Sequence, residues 1–281
     1  MKKNQLLSYL TLIVLPSIGQ ISGLYPDQFS SYFFNKSQVN VAYMPIDGQS
    51  EAIVQGKIRS GAYSDISTMS ASIQKTFKSD NQWHSGRLMF QNEKEGPYIS
   101  TPRFYGNYSI QISINNNLKL LGGAAFGMIN PNYNTPSKTV STSLIDGSLG
   151  IIVIYKKSIV GVSSNQIFNN SSELNTSIKL NRYYNFIFET TLPVQENIEF
   201  KPYILFRYFS DIPSHINTLF SVIYDKIIET GIGYNYNRGA TVYTSVNLES
   251  GFKVGALYNS LITSKTPVLG SSFELNLAYQ F

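Results

Sequence analysis

From Ser50 onward the chain breaks into segments of roughly ten residues in which apolar and polar side chains alternate. Successive side chains of a strand point to opposite faces, so a sustained period of two calls for a sheet with one apolar and one wetter face. In the last segment Phe273, Leu275, Leu277, Tyr279 and Phe281 share one face, and Glu274, Asn276, Ala278 and Gln280 share the other. A closing strand that stops on Phe is the usual mark, and insertion signal, of a bacterial outer-membrane barrel. The last strand of a soluble β-sandwich is the alternative that this segment alone leaves open.

Other segments repeat the pattern. Ile198, Phe200, Pro202, Ile204, Phe206 and Tyr208 oppose Glu199, Lys201, Tyr203, Leu205 and Arg207. A charge-bearing face behind an apolar one suits a water-filled or side-chain-filled lumen. Segments of this kind fall at 51 to 59, 66 to 77, 84 to 94, 103 to 114, 117 to 128, 146 to 156 and 158 to 168. They continue at 181 to 192, 197 to 209, 215 to 224, 226 to 236, 239 to 248, 251 to 260 and 270 to 281. The expected fold is all-β: a transmembrane antiparallel up-and-down β-barrel of 14 strands, with 12 as the alternative even number. Asn115-Asn-Asn117, Lys156-Lys157, Asp225-Lys226 and Asn237-Arg-Gly239 read as tight periplasmic turns. The longer links 129 to 145, 169 to 180 and 261 to 269 read as outer loops. Pro202 cannot donate to a ladder, so a bulge is expected there.

At the other end, Lys2 and Lys3 precede an apolar run from Leu6 to Leu15, then Pro16 and the small residues Ser17 and Gly19. This is the layout of a signal peptide over residues 1–19, and its apolar run is too short to span about 30 Å of hydrocarbon. Residues 20–49 are aromatic and Asn-rich, alternate poorly and contain Pro26 and Pro45. They read as a periplasmic arm or lumen plug ahead of a barrel over 50–281, with Phe29, Phe33, Phe34 and Tyr43 as its anchors.

Composition narrows the function classes. Charged residues are 14%, while Tyr (20) and Phe (17) abound, and mean hydropathy is near zero, as alternating strands require. Loss of the two leader lysines would lower the formal charge from +5 to +3, and the basic residues are scattered, so a nucleic-acid partner is not expected. The absence of cysteine excludes disulfides, thiolate metal sites and a lipid-anchored N-terminus. The two histidines, His84 and His215, come with no ligand spacing and no nucleophile arrangement, so no cofactor, metal or catalytic role is expected. Lys57, Arg59, Glu189, Glu199, Lys201 and Arg207 fall on polar faces and are the lumen candidates, either as a charge network that fills a narrow interior or as a permeation filter. Trp83 and the tyrosines read as membrane-surface girdles.

Asp27-Gln28-Phe29-Ser-Ser-Tyr32-Phe33-Phe34-Asn35, followed by Asn40-Val41-Ala42-Tyr43, resembles the opening of the PorP/SprF family of Bacteroidota. In that family a D-P-Q-F-x-Q-Y-x-F-N segment precedes N-P-A-Y-A-G; here Pro26 comes before Asp27, and Lys36 and Val41 replace prolines. Asn92-Glu93-Lys94-Glu95-Gly96-Pro97 resembles the family's N-D-K-x-G-P turn, a possible partner contact that is first of all a turn. Gly161-Val-Ser163, Arg182-Tyr-Tyr184, Lys201-Pro202 and the closing Gly270 to Phe281 follow in the family's order. The resemblance implies a non-enzymatic outer-membrane barrel assisting type IX secretion or surface attachment of adhesin-type cargo used in gliding. Its implied partners are outer-membrane lipids, periplasmic components of the secretion machine and cargo with a C-terminal sorting domain. A general porin or FadL-like transporter of hydrophobic solutes is the alternative.

Overall fold

The computed structural model describes residues 24–45, 48–61, 64–79, 82–135, 138–174, 176–236, 239–260 and 271–281. The expected signal peptide, residues 1–19, therefore lies outside the described residues. The first wall strands are β1 (Glu51–Arg59), β2 (Ile66–Ser79), β3 (Gln82–Glu95), β4 (Ile99–Asn115) and β5 (Leu118–Ile129). A hairpin of β6 (Asn132–Thr135) and β7 (Lys138–Ser141) precedes β8 (Leu144–Tyr155) and β9 (Ser158–Asn165). A separate hairpin, β10 (Ser171–Leu174) with β11 (Thr176–Lys179), precedes β12 (Tyr183–Thr190) and its continuation β13 (Leu192–Gln195). The wall ends with β14 (Ile198–Phe209), β15 (His215–Tyr224), β16 (Ile228–Asn235), β17 (Gly239–Asn247), β18 (Phe252–Ser260) and β19 (Ser272–Gln280).

With the two hairpins and β13 set aside, fourteen staves remain, each antiparallel to its neighbours. β1 pairs with both β2 and β19, which closes the sheet and excludes the twelve-strand alternative. A lipid-embedded backbone has no water to bond to, so only closure satisfies every edge group. Side chains divide by parity as the alternation requires. Val54, Leu149, Phe206, Ile232 and Leu275 face outward, while Gln55, Ser148, Arg207, Ser221 and Glu274 are buried in the lumen.

Links alternate between the two ends of the barrel. The short ones at 116–117, 156–157, 196–197 and 225–227 share one end with the β1 start and the β19 finish, which marks it as the periplasmic, inner end. Lys156, Asp225 and Lys226 adopt positive φ there, as tight turns demand. The long links carrying the β6–β7 and β10–β11 hairpins lie at the outer end, as expected; 261–269 is outside the described residues. Asn237 and Arg238 are outside the described residues, but the β16 finish and the β17 start lie at the outer end and not the inner one, one wall crossing after the inner β15–β16 turn.

Two further expectations are corrected. Pro202 makes no bulge: its register with β15 runs unbroken through Lys201↔Ser221, Pro202↔Phe220 and Tyr203↔Leu219. The opposite neighbour gives way, since pairing stops at Glu189↔Tyr203 and resumes at Leu192↔Phe200. A missing donor is harmless where the ladder is already open. Trp83 is not a girdle residue, because its parity is that of Ser85 and Arg87, and it packs inward beside Gly48. The tyrosines do ring the outer surface, with Tyr155, Tyr224 and Tyr279 at the inner rim and Tyr184, Tyr208, Tyr234 and Tyr258 at the outer one.

Leu149 stands outward at the middle of β8. Leu149→Arg should lower stability in lipid by about 2–4 kcal/mol, whereas Leu149→Ala should cost far less; equal urea midpoints for the two would show that this face does not meet lipid. At the seam, Ser50 and Phe281 exchange backbone hydrogen bonds of 3.0 Å, and the Tyr279 ring stacks on Phe252 at 4.5 Å. Replacing Tyr279 and Phe281 together with Ala should reduce the heat-modifiable folded form in outer-membrane fractions, and an unchanged yield would rule out a role for this pair in assembly.

Candidate functional site: a plugged lumen

The segment from Leu24 to Met44 runs down the inside of the barrel from the outer end to the inner end. Leu24 N–H donates to the Lys179 carbonyl at the outer hairpin (2.8 Å), and the chain emerges at Ser50, beside the Phe281 carbonyl. Of the two forms expected for residues 20–49, the described part takes that of the plug. Its only regular element is one 3-10 turn, Lys36–Gln38. A buried backbone without secondary structure needs partners from elsewhere, and the wall side chains supply them.

Near the outer end Asp27 accepts from Lys57 Nζ (2.9 Å), Arg59 Nη2 (3.1 Å) and Thr68 Oγ1 (2.9 Å). Gln28 Nε2 reaches Tyr183 Oη at 3.4 Å, while Tyr25 donates to Asp211 at the mouth. Burial, reinforced by Asp211, pushes the Tyr25 phenol above its usual range. One level down, the carboxylate of Glu274 on β19 accepts Ser30 N–H (2.8 Å), Ser31 N–H (2.9 Å) and Ser31 Oγ (2.7 Å). Gln55 then joins Asn35 (3.0 Å) to Asn276 (2.7 Å).

Lys36 and Lys201 converge on Glu189 at 2.6 and 2.9 Å. The Val39 carbonyl accepts from Ser163 Oγ and Asn185 Nδ2, both at 2.7 Å, and Asn185 Oδ1 accepts from Arg207. Asn107 Nδ2 holds the Val41 carbonyl (2.9 Å), and Gln74 Nε2 holds that of Tyr43 (3.2 Å). Phe33 meets Tyr243 edge-on at 4.5 Å, Tyr32 Oη donates to the Asn217 carbonyl, and Lys253 lies over the Phe34 ring at 5.3 Å. Phe29 and Met44 are fully enclosed.

Asn40 and Ala42 owe their seat to wall glycines. Gly123 and Gly150 are paired across β5 and β8, and Gly161 follows on β9. A Cβ on Gly123 would stand 2.5 Å from the Val41 carbonyl oxygen, and one on Gly161 would stand 2.8 Å from Asn40 Nδ2. The notch thus lets Asn40 lie flat on the wall, donate to the Ile151 carbonyl (3.1 Å) and accept Ala42 N–H (3.0 Å).

Five lumen candidates, Lys57, Arg59, Glu189, Lys201 and Arg207, line the interior around the plug. Glu199 has the inward parity but sits at the inner rim, paired with exposed Lys157 at 2.8 Å. The stretch 92 to 97 divides: Glu93 is a buried lumen residue paired with Arg103 at 3.1 Å, while Asn92 is half-buried on the outer face. Lys94 is exposed, and Gly96 (φ +72) and Pro97 form the outer turn. Glu93 is therefore an interior ion-pair partner and not a surface contact. Gly161 entered through the family resemblance of Gly161-Val-Ser163; Glu274, Gln55, Asn107, Asn185, Gly123 and Gly150 were not singled out as site residues in the sequence. Inward parity was their one signal, shared with dozens of inward positions. His84 faces outward with Nδ1 2.6 Å from Tyr108 Oη, and His215 meets Phe209 at the outer rim. Among the described residues no three His, Asp or Glu side chains are arranged to hold a metal.

Gly123→Ala should dislodge Asn40–Ala42 because the new methyl meets backbone, with an overpacking cost of about 1–3 kcal/mol. Purified protein should stay heat-modifiable, yet the plug should become sensitive to protease; a plug as resistant as that of the unaltered protein would contradict the notch.

The chain matches the family described as "Type IX secretion system membrane protein PorP/SprF" over residues 21–279. Among curated proteins none matches. Similar solved structures include the Acinetobacter baumannii outer membrane protein Omp33, with 10% identity, TM-score 0.52, and 83% of this chain and 99% of that one covered. The Ralstonia pickettii toluene transporter TbuX has 7% identity and TM-score 0.54, covering 88% and 93%. A Pseudomonas aeruginosa FadL homologue has 8% identity and TM-score 0.52, covering 92% and 95%. At such identities the likeness shows the fold alone, that of an outer-membrane barrel; with the match to a secretion-system membrane protein family it places the protein in the outer membrane. Matched over nearly its whole length, the chain belongs to the PorP/SprF family of type IX secretion system membrane proteins.

Proposed function

We propose that the protein is a non-enzymatic outer-membrane barrel that assists type IX secretion, or surface attachment, of cargo of the adhesin type used in gliding. Its partners in this reading are periplasmic components of the machine and cargo carrying a C-terminal sorting domain. The observation that carries the reading is the plug. Bonded to the wall at every level from Asp27 to Tyr43, it fills the lumen where a porin would hold water. The interior charges act as plug anchors: Asp27 with Lys57 and Arg59, and Lys36 with Glu189. Removing one partner of such a buried pair costs about 3–5 kcal/mol, so the plug is held firmly.

A transporter of hydrophobic solutes is the second reading. It is favoured by an apolar hollow of ≈ 740 Å³ on the outer wall, flanked by Leu88, Phe90, Phe104 and Phe126.

Deletion of residues 24–45 in cells should leave a heat-modifiable barrel and abolish surface display of the cognate cargo. Cargo display at the normal level from a barrel lacking the plug would refute a secretion role for this segment. Loss of growth on a hydrophobic solute, with display intact, would favour the transporter.

A further inference from the structure

Between the plug and the wall strands β3, β4, β5, β8 and β9, in the outer half of the lumen, lies a cavity of ≈ 50 Å³. A bound water takes about 10–15 Å³ on such a measure, so the space holds a group of a few heavy atoms and nothing the size of a drug. Two arginines line it, Arg87 at 4% exposure and Arg103 at 2%. Each is held on one side only. Arg87 Nη2 donates to the Ser37 carbonyl at 2.9 Å, and Arg103 Nε donates to Glu93 at 3.1 Å. Arg87 Nε and Nη1 and both Nη atoms of Arg103 have no acceptor among the described residues. A buried guanidinium donor left unpaired costs more than a neutral one, and the two Nη atoms form the end-on fork that matches a carboxylate or phosphate edge.

The remaining lining decides what completes these bonds. Asp146 faces the same cavity, but its oxygens are engaged by Tyr105 Oη (2.6 Å) and Gly147 N–H (2.7 Å); Gln28 Oε1 and Gln166 Oε1, also in the lining, are unbonded acceptors, two neutral oxygens against the four guanidinium nitrogens. Phe29, Val39, Val41, Met89 and Ala125 supply an apolar side. The geometry points to a binding site for a small anion, a phosphate or a short-chain carboxylate, held on the guanidinium groups of Arg87 and Arg103. The anion is bound against the plug itself, through the loop that Arg87 holds at Ser37, so its occupancy stabilises the plugged state.

The full chain, purified in a zwitterionic detergent, is titrated calorimetrically with inorganic phosphate, acetate and butyrate, ionic strength being held constant with chloride. Saturable one-site binding of phosphate or of a carboxylate is expected; the arm that saturates identifies the head group, and butyrate over acetate would report the apolar side. Ala125→Leu fills the cavity while leaving both arginines in the sequence, and Arg103→Lys keeps a charge beside Glu93 while losing the fork. Each should weaken binding by roughly tenfold or more with heat-modifiability unchanged, Ala125→Leu by occupying the anion's volume and Arg103→Lys by removing charge-assisted hydrogen bonds. Heats that only follow ionic strength in the unaltered protein would overturn the site, and this arm needs no variant to fold. Equal affinity in Ala125→Leu would overturn its location.

Discussion

The nine residue pairs from Glu51↔Gln280 to Arg59↔Ser272 that join β1 to β19 remove the last free edge of the wall. Without that seam the outermost strands would present unpaired N–H and C=O groups to hydrocarbon, at several kcal/mol for each group. Once it forms, parity is fixed for every stave. A side chain is then committed either to lipid or to the lumen, and a one-residue slip anywhere would reverse both faces of that strand.

The enclosed lumen brings a second backbone problem. The plug from Leu24 to Met44 has one 3-10 turn and no ladder, yet most of it is buried. Its peptide groups are bonded instead by Gln74, Asn107, Ser163, Asn185, Arg87, Lys57 and Glu274, all wall side chains of inward parity. This accounts for the many amides and hydroxyls buried inside a membrane protein. Glu274 ties the two problems together, because the strand that closes the barrel also carries the carboxylate that receives Ser30 and Ser31.

The stretches that carry the family resemblance converge on this arrangement. Asp27, Asn35 and Asn40 are plug residues with wall partners; Gly161 and Ser163 are the wall that Asn40 and Val39 meet. Lys201 shares Glu189 with Lys36, and Tyr183 receives Gln28. These shared sequence features belong to the seat of the plug, while the outer turn at Gly96 and Pro97 and the outward row from Phe273 to Phe281 belong to the wall.

The fourteen staves, their facing and the outward row Phe273 to Phe281 were legible in the sequence, because a strand's period of two is a local property written into each segment. The polar face of β14 correctly marked Lys201 and Arg207 as interior. Local pattern could not say at which end of the barrel β16 gives way to β17, since that depends on counting every crossing before it. Nor could it show that Trp83 turns inward, that the β12–β13 gap lies opposite Pro202, or that Glu93 meets Arg103 across a strand pair. The plug was legible only as a failure of alternation. Its path, the Gly123, Gly150 and Gly161 notch and the Arg87–Arg103 cavity join residues that stand far apart in the chain, and only closing the wall around the plug brings them within reach of one another.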